Sequence, residues 1–251
     1  MNTKIPSRPV LYIRSILFWL GFLLSTVAVG LLIIFLFFTP SDFRLTVAKL
    51  WCGSTLWWLK VTCKLDYIVE GSENIAEQNA VVMCKHQSTW ETIALHAIVP
   101  LGRWVFKREL MKIPIFGWAL ALTDPIAIDR AAGRKAVVQL IREGTEKLKQ
   151  GKWMILFPEG TRSTPGGESK YKIGGALLAT KSGYPILPIA HNAGEFWPRH
   201  SFIKWPGTIT VRVGPMIATT DKKADEVLAQ TEQWIEGAMQ EISDSSRWNR
   251  C

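Results

Sequence analysis

Two patterns of hydrophobic and polar residues divide the chain at about Leu65. Before it, Ile16–Phe38 is an apolar run without a charged side chain, and a second apolar stretch runs from Phe43 to about Val61. A helix of about 20 apolar residues is long enough to cross the hydrocarbon layer of a bilayer. The pattern predicts an N-terminal membrane anchor of one or two helices over residues 1–64, followed by a domain over residues 65–251.

The anchor differs from a cleaved signal peptide. Lys4, Arg8 and Arg14 precede the apolar run, as in a signal peptide, but the run is longer and Thr39–Asp42 supplies no small-x-small cleavage site. We therefore expect an uncleaved anchor. The second stretch mixes tryptophans with basic residues, which is typical of the headgroup region, although a core helix also fits. A single span and a helix pair that dips into one leaflet are both consistent with the pattern.

After Leu65, short β-branched runs alternate with longer helical patterns. Seven runs are predicted as strands: Asp66–Glu70, Ala80–Cys84, Trp104–Phe106, Pro125–Ile128, Trp153–Phe157, Ile186–Ala190 and Thr208–Val213. Helical spacing of apolar residues predicts helices over Arg134–Gln150 and from Ala224 to about Ile242. This alternation favours an α/β layered domain with a largely parallel mixed sheet flanked by helices.

Net charge and cysteine content limit the classes of partner and the cellular compartment that fit this chain. The net charge of +9 suits an anionic partner, either a nucleic acid or an acidic membrane surface. Lys and Arg are dispersed rather than clustered with aromatic residues on one element, so we expect no nucleic-acid partner. The cysteines, Cys52, Cys63, Cys84 and Cys251, form no C-x-x-C pair and no zinc spacing. We expect free thiols and a catalytic domain that faces the reducing cytoplasm.

His86 and Glu91 lie where a buried-looking strand leads into a helical pattern. Five residues of a regular helix turn through about 500°, so the two side chains meet only if His86 precedes the helix and Glu91 lies in its first turn. The carboxylate would then hold one imidazole nitrogen and leave the other to accept a proton. His86 is therefore a candidate general base, although the spacing alone is too common to establish it.

The segment Phe157–Ser163 follows another predicted strand, at the end where open α/β sheets bind ligands. Gly160 allows a tight turn, Thr161 offers a hydroxyl, and the planar fork of Arg162 matches phosphate oxygens. Lys107 and Arg130 also follow short strand-like runs. These cations are expected at the same edge of the sheet.

Together and in this order, four segments resemble the 1-acyl-glycerol-3-phosphate acyltransferase family. Its blocks are a histidine and an acid separated by four residues, a lysine-bearing block ending in aspartate-arginine, a P-E-G-T-R block and a proline-containing apolar strand. Here they read His86…Glu91, Lys107…Asp129-Arg130, Phe157-Pro-Glu-Gly-Thr-Arg162 and Ile186-Leu-Pro-Ile-Ala190. The resemblance covers about Leu65–Gly214 and the apolar N-terminus. It departs from the family where Glu91 replaces the usual aspartate.

The resemblance implies transfer of a fatty acyl chain from acyl-CoA or acyl-carrier protein to the sn-2 hydroxyl of lysophosphatidic acid, giving phosphatidic acid. It implies His86 as the base and Glu91 as its orienting acid, without a metal, a bound cofactor or a covalent acyl-enzyme. The substrate-binding residues it implies are Arg162, Lys107 and Arg130 for the phosphate, Gly160 and Thr161 to shape that pocket, and Glu159 to brace the loop or bind a substrate hydroxyl. Lipid substrates also make membrane lipids expected partners.

Other functions fit parts of the pattern. An acyltransferase for another lyso-lipid, such as lyso-ornithine lipid or lysophosphatidylglycerol, would use the same blocks. A covalent mechanism through Cys84 is conceivable because residues two apart share a strand face. A non-enzymatic lipid-binding or scaffold protein would have the same anchor but no need for His86 and Glu91. Of the other histidines, His191 follows a strand and could border the pocket, whereas His96 and His200 have no identifiable partner.

Overall fold

The computed structural model describes residues 6–75, 77–100, 102–167 and 170–250. Within these ranges the helices are α1 Arg8–Phe35, α2 Ser41–Cys63, α3 Trp90–Ile98, α4 Phe116–Ala121, α5 Arg134–Lys149, α6 Gly174–Ser182 and α7 Ala224–Ile242. The strands are β1 Leu65–Glu70, β2 Val81–Cys84, β3 Gly102–Lys107, β4 Ile126–Ile128, β5 Trp153–Leu156, β6 Ile186–His191 and β7 Gly207–Val213. All the predicted strands form, each with ends within two residues of the prediction.

The strands form one mixed sheet in the order β1-β7-β6-β2-β5-β3-β4. Neighbours from β6 to β4 pair in parallel, for example with Val82 opposite both Ile155 and Leu187. β7 runs antiparallel to β6 and parallel to β1, so these two strands at one side are reversed. The central strands β2, β5 and β6 are buried along their whole length, as expected of parallel strands covered on both faces. The prediction of a largely parallel mixed sheet is confirmed.

Helices cover both faces of the sheet. Successive side chains of a strand point to opposite faces, and along β2 Val82 and Cys84 join one core while Val81 and Met83 join another. The first core includes apolar side chains of α2 and α3, and the second includes those of α5 and α6. α7 packs on β6 and α6. The result is a three-layer α/β/α arrangement whose parallel strand ends remain accessible along one edge.

The two N-terminal helices form an antiparallel hairpin. Trp58 Nε1 of α2 donates a hydrogen bond to Leu17 O of α1 at 3.2 Å, and Gly21 lets the Trp58 ring approach the α1 backbone. α1 is long and apolar enough to cross a membrane. One face of α1 is buried, however, and Phe18 is among its fully buried side chains. The helix therefore packs lengthwise on the rest of the protein.

The turn between α1 and α2 is tied to the α/β layers by charged side chains. Arg44 Nε donates to Leu122 O at 2.8 Å, and Asp42 forms ion pairs with Arg103 and Lys152. Arg103 is almost completely buried on β3, so its contact with Asp42 joins the hairpin to the sheet itself. Both the turn and the body of the hairpin thus contact the domain.

The cysteines that the structure describes are unpaired. Cys52, Cys63 and Cys84 are buried free thiols, as the sequence predicts. Cys251 lies outside the described residues.

Candidate active site

The chemistry-bearing loops meet at one edge of the sheet because β2, β5, β3 and β4 are parallel neighbours. His86 follows β2, the segment 159–162 follows β5, Lys107 ends β3, and Arg130 follows β4. The carboxyl ends of parallel strands are where open α/β sheets bind ligands. Strand order therefore collects residues that are far apart in the sequence, at the edge where they were expected.

His86 and Glu91 are in direct contact. His86 lies in the turn after β2, and Glu91 lies in the first turn of α3 with its side chain folded back. His86 Nδ1 is 2.8 Å from Glu91 Oε1, and the backbone amides of Gln87 and Ser88 donate to the same oxygen at 2.9 and 2.7 Å. Glu91 is fully buried. The glutamate thus pairs amides of the turn before the helix and fixes the imidazole at the same time.

The ionisation of Glu91 sets the tautomer of His86. Burial opposes ionisation, but neighbouring His191 and the hydrogen bonds from His86 and Ser88 prevail, and the pKa of Glu91 lies below its ordinary value. An ionised carboxylate only accepts hydrogen bonds. His86 Nδ1–H therefore donates to Glu91, which leaves Nε2 with a free lone pair. That is the arrangement of a general base oriented by an acid.

The His86 ring and backbone are held from several sides. The ring stacks on Phe157, with centroids 3.8 Å apart and planes 6° from parallel. His86 N donates to Glu159 Oε1 at 2.9 Å, and Ser163 N donates to His86 O at 2.8 Å. The side chain is still 15% exposed. The loop after β5 therefore positions the base without covering it.

Comparisons with known proteins show the family of this chain. A family model described as Acyltransferase matches residues 66–192. A 1-acyl-sn-glycerol-3-phosphate acyltransferase from Pseudomonas aeruginosa is 42% identical over 239 residues, which cover 92% of each chain. The chain belongs to the acyltransferase family. A protein of the same name from Saccharomyces cerevisiae is 30% identical over 67% of this chain and 57% of its own length.

The fold is also that of a solved family member. The crystal structure of the 1-acyl-sn-glycerophosphate acyltransferase PlsC from Thermotoga maritima matches with a TM-score of 0.75 and 26% identity. The match covers 91% of this chain and 94% of the Thermotoga chain. The part of the chain before the matched family region, including most of the helical hairpin, must therefore be shared with that structure as well.

The P-E-G-T-R loop of the acyltransferase region forms a tight turn that its glycine makes possible. Gly160 has a φ of +69°, and a Cβ there would lie 2.8 Å from Lys172 Nζ. Arg130 donates to Gly160 O, which joins the loop after β4 to this turn. Glu159 is buried beneath the His86 peptide with Lys85 Nζ 3.6 Å away, and its placement suits bracing of the loop. Thr161 is exposed.

Arg162 and Lys107 have different surroundings. Arg162 Nη1 donates to Thr89 Oγ1 at 3.1 Å, which places the guanidinium beside the His86–Glu91 turn. Lys107 forms an ion pair with Glu109 at 3.2 Å, with both side chains half-exposed. No contact between described residues joins Lys107 to His86 or Arg162. Lys107 is thus at the predicted edge, with a side chain directed to a local partner.

His191 is a candidate site residue that the sequence indicated only weakly. It ends β6, is buried, and its Nε2 lies 3.8 Å from Glu91 Oε2. Ala193 N donates to His191 Nδ1, so Nε2 carries the proton and donates to Lys85 O at 2.8 Å. Burial lowers the pKa of His191 despite the opposing influence of Glu91. His191 therefore supports both the carboxylate and the backbone that precedes His86.

Cys84 is poorly placed to be a nucleophile. It is fully buried at the end of β2, in the core on the α2–α3 side. Burial raises the pKa of the Cys84 thiol well above its ordinary value, and the nearby Glu91 and Glu159 carboxylates raise it further. Since the thiolate is the nucleophilic form, this environment favours an inert thiol.

Proposed function

We propose that this protein transfers a fatty acyl chain from a thioester donor to the sn-2 hydroxyl of lysophosphatidic acid, giving phosphatidic acid. The observation that carries the proposal is the 2.8 Å contact between His86 Nδ1 and a buried Glu91, with Nε2 left to accept a proton. The names and sequence identity of the Pseudomonas and yeast relatives support the substrate.

In the proposed mechanism, His86 Nε2 takes the proton of the acceptor hydroxyl as its oxygen attacks the thioester carbonyl. Glu91 stabilises the imidazolium that forms, and the proton passes to the departing thiolate as the tetrahedral intermediate collapses. Arg162 holds the acceptor phosphate, with Arg130 and Lys107 at the same edge. The mechanism uses no metal, no cofactor and no acyl-enzyme. The donor is acyl-CoA or acyl-carrier protein.

We also propose that the hairpin α1–α2 seats the catalytic domain on one leaflet, on the cytoplasmic face of its membrane (the inner membrane in a bacterium). The outward side of α1 exposes large apolar side chains, among them Leu20, Leu23 and Leu24. Yet it contacts the same domain near both ends: the Tyr12 ring stacks on Phe202 near the start of the helix, and Gly30 contacts Ile115 near its end. A helix with its ends on opposite sides of a bilayer would lose one of these contacts.

The test of the reaction compares wild type with His86→Ala. Membranes containing each variant are supplied with lysophosphatidic acid and, in parallel, with acyl-CoA or acyl-carrier protein, and phosphatidic acid is quantified. We expect product with wild type and a decrease of at least about a hundredfold with His86→Ala, the scale of a lost general base.

Cys84→Ala is the matched control, because it removes the thiol that a covalent mechanism would use, and it should keep activity. Equal product from wild type and His86→Ala would refute the mechanism. Product from lyso-ornithine lipid or lysophosphatidylglycerol, and none from lysophosphatidic acid with either donor, would establish a different acceptor. Membrane binding without any acyl transfer would favour the scaffold protein.

A further inference from the structure

A cleft of about 300 Å³ lies between α1 and the carboxyl-end edge of the sheet, next to the His86–Glu91 turn. Its lining combines cationic, hydroxyl and aromatic side chains: Trp19, Thr89, Arg162, Trp197, His200 and Phe202, with Ser201 between the last two. None of these described lining residues is acidic. The cleft therefore favours an anion that carries apolar groups.

The polar side of the cleft lies close to the proposed base. Arg162 donates to Thr89 Oγ1, and Thr89 lies between His86 and Glu91 in the chain. Ser163, the next residue after Arg162, donates its N–H to His86 O. A group held by Arg162 and Thr89 is therefore tied through short backbone links to the residue that would activate the acceptor hydroxyl.

His200 enters the same cleft in an unusual backbone conformation. Its φ is +64°, in the left-handed region that few non-glycine residues adopt. The residue before it, Arg199, donates from Nη1 to Arg162 O at 3.3 Å, which joins the two walls. The side chain of His200 is exposed on the cleft. Left-handed conformations of this kind cluster at ligand sites, where the surrounding structure maintains them.

The wall that carries His200 is fixed to α1. Lys204 is completely buried, and its Nζ donates to Phe202 O at 2.8 Å and Ser201 O at 3.1 Å. Its ammonium also lies 4.5 Å from the Trp19 ring and 4.6 Å from the Trp197 ring. Lys204 N further donates to Ser15 Oγ at 3.0 Å. The cleft thus has a rigid frame before any ligand binds.

We infer that His200 is a specificity residue of this cleft, which selects acceptor lipids with a phosphate monoester headgroup beside Arg162. The inference rests on the proposed function. A monoester offers three unesterified oxygens and up to two negative charges, enough for Arg162, His200 and Thr89 together. A diester offers two such oxygens and one charge. Trp19 and Phe202 lie against the part of the lipid nearest the membrane.

The test uses two substitutions that tolerate the backbone of His200. His200→Gly removes the imidazole, and His200→Asn keeps a shorter, uncharged side chain; both residues adopt positive φ readily. KM and kcat are measured for lysophosphatidic acid and for the diester lysophosphatidylglycerol, with full-length protein in membranes. Arg134→Gln, an exposed cation at the start of α5, is the control.

We expect both variants to raise KM for lysophosphatidic acid about tenfold with kcat nearly unchanged, the effect of losing one charge-assisted hydrogen bond. The preference for lysophosphatidic acid over the diester should fall by a similar factor. If KM stays within twofold of wild type in either variant, or if kcat falls instead, the inference is overturned although acyl transfer persists. A wild type that cannot acylate lysophosphatidic acid overturns the proposed function itself.

Discussion

At the scale of single residues, Glu91 performs two tasks that the local sequence combines. One of its oxygens accepts two backbone amides in the turn before α3 and also contacts His86, so the conformation of this turn and the orientation of the base depend on the same carboxylate. Its other oxygen, Oε2, is buried without a hydrogen-bond partner among the described residues. Such an oxygen retains negative charge close to the imidazole, where an imidazolium would form during the reaction.

The Glu91→Gln variant removes the negative charge of the side chain and keeps its shape. The amide oxygen can still accept the Gln87 and Ser88 amides, so the fold of the turn should survive. The variant should lose about 100-fold or more in kcat, because a neutral amide stabilises the imidazolium less well, while KM for the acceptor changes little. Steady-state kinetics with lysophosphatidic acid measure both constants. An unchanged kcat would show that the Glu91 charge has no part in the reaction.

The sequence indicated contacts of the candidate site where neighbours in the chain suffice. The turn between β2 and α3 places His86 against Glu91 as the spacing required. The role of Glu159 beneath the His86 peptide, and the contact of His191 with Glu91, depend on the pairing of β2 with β5 and β6. These pairings join segments far apart in the chain, and periodicity within each segment does not specify its neighbours.

At the scale of elements, strands were easier to predict than their order. β-branched runs bounded by turn residues indicated every strand of the sheet, because parallel central strands are apolar along their length. The reversal of β1 and β7 had no local signal, since the alternation of side chains along a strand is the same in either direction. The proximity of His200 to Arg162 had no local signal either, because the His200 loop reaches Arg162 only after β6 and β7 pair antiparallel.

The loop after His191 also contains a buried lysine, Lys204. Burial lowers the pKa of Lys204 from 10.5 to about 7. The folded state therefore binds fewer protons than the unfolded state between these values, and folding becomes more favourable as pH rises through this window. The unfavourable contribution of the buried charge is fully present below about pH 7.

Lys204→Met removes that titration. Between pH 7 and pH 9 the unfolding free energy of wild type should rise relative to that of the variant, by up to about 1.4 kcal/mol per pH unit. Denaturant unfolding of both proteins in detergent, at several pH values, measures the difference. Parallel curves over this range would show that Lys204 keeps an ordinary pKa.

At the scale of the whole molecule, the apolar surface is concentrated on the hairpin. Large exposed apolar side chains lie along α1 and continue onto α2 at Leu50 and Trp57 and onto the α4 region at Trp118. Contiguous apolar surface of this kind marks a membrane or protein contact. The proposed active-site edge lies beside α1, so a lipid acceptor would have to move only a short distance out of the bilayer.

The Leu24→Glu variant tests whether α1 contacts the bilayer. Leu24 on α1 is 71% exposed, and Val138 on α5 is 58% exposed but belongs to the opposite face of the sheet. A charge placed in the hydrocarbon region is unfavourable by a few kcal/mol. Leu24→Glu should therefore weaken binding to phospholipid vesicles at least tenfold, and Val138→Glu should not. Co-sedimentation of the purified variants with the vesicles measures this binding. Equal binding by both variants would argue against contact of α1 with the bilayer.

Trp19 and Ser15 of α1 are hydrogen-bonded to the Phe202–Lys204 segment, and this limits which helices from other proteins could replace α1. An anchor that only holds an enzyme at a membrane can be replaced by any apolar helix of equal length. Here a chimera with a foreign helix would reach the membrane but would lack the tryptophan and serine that position the cleft. Relatives could therefore exchange their first helix only together with the loop that it holds.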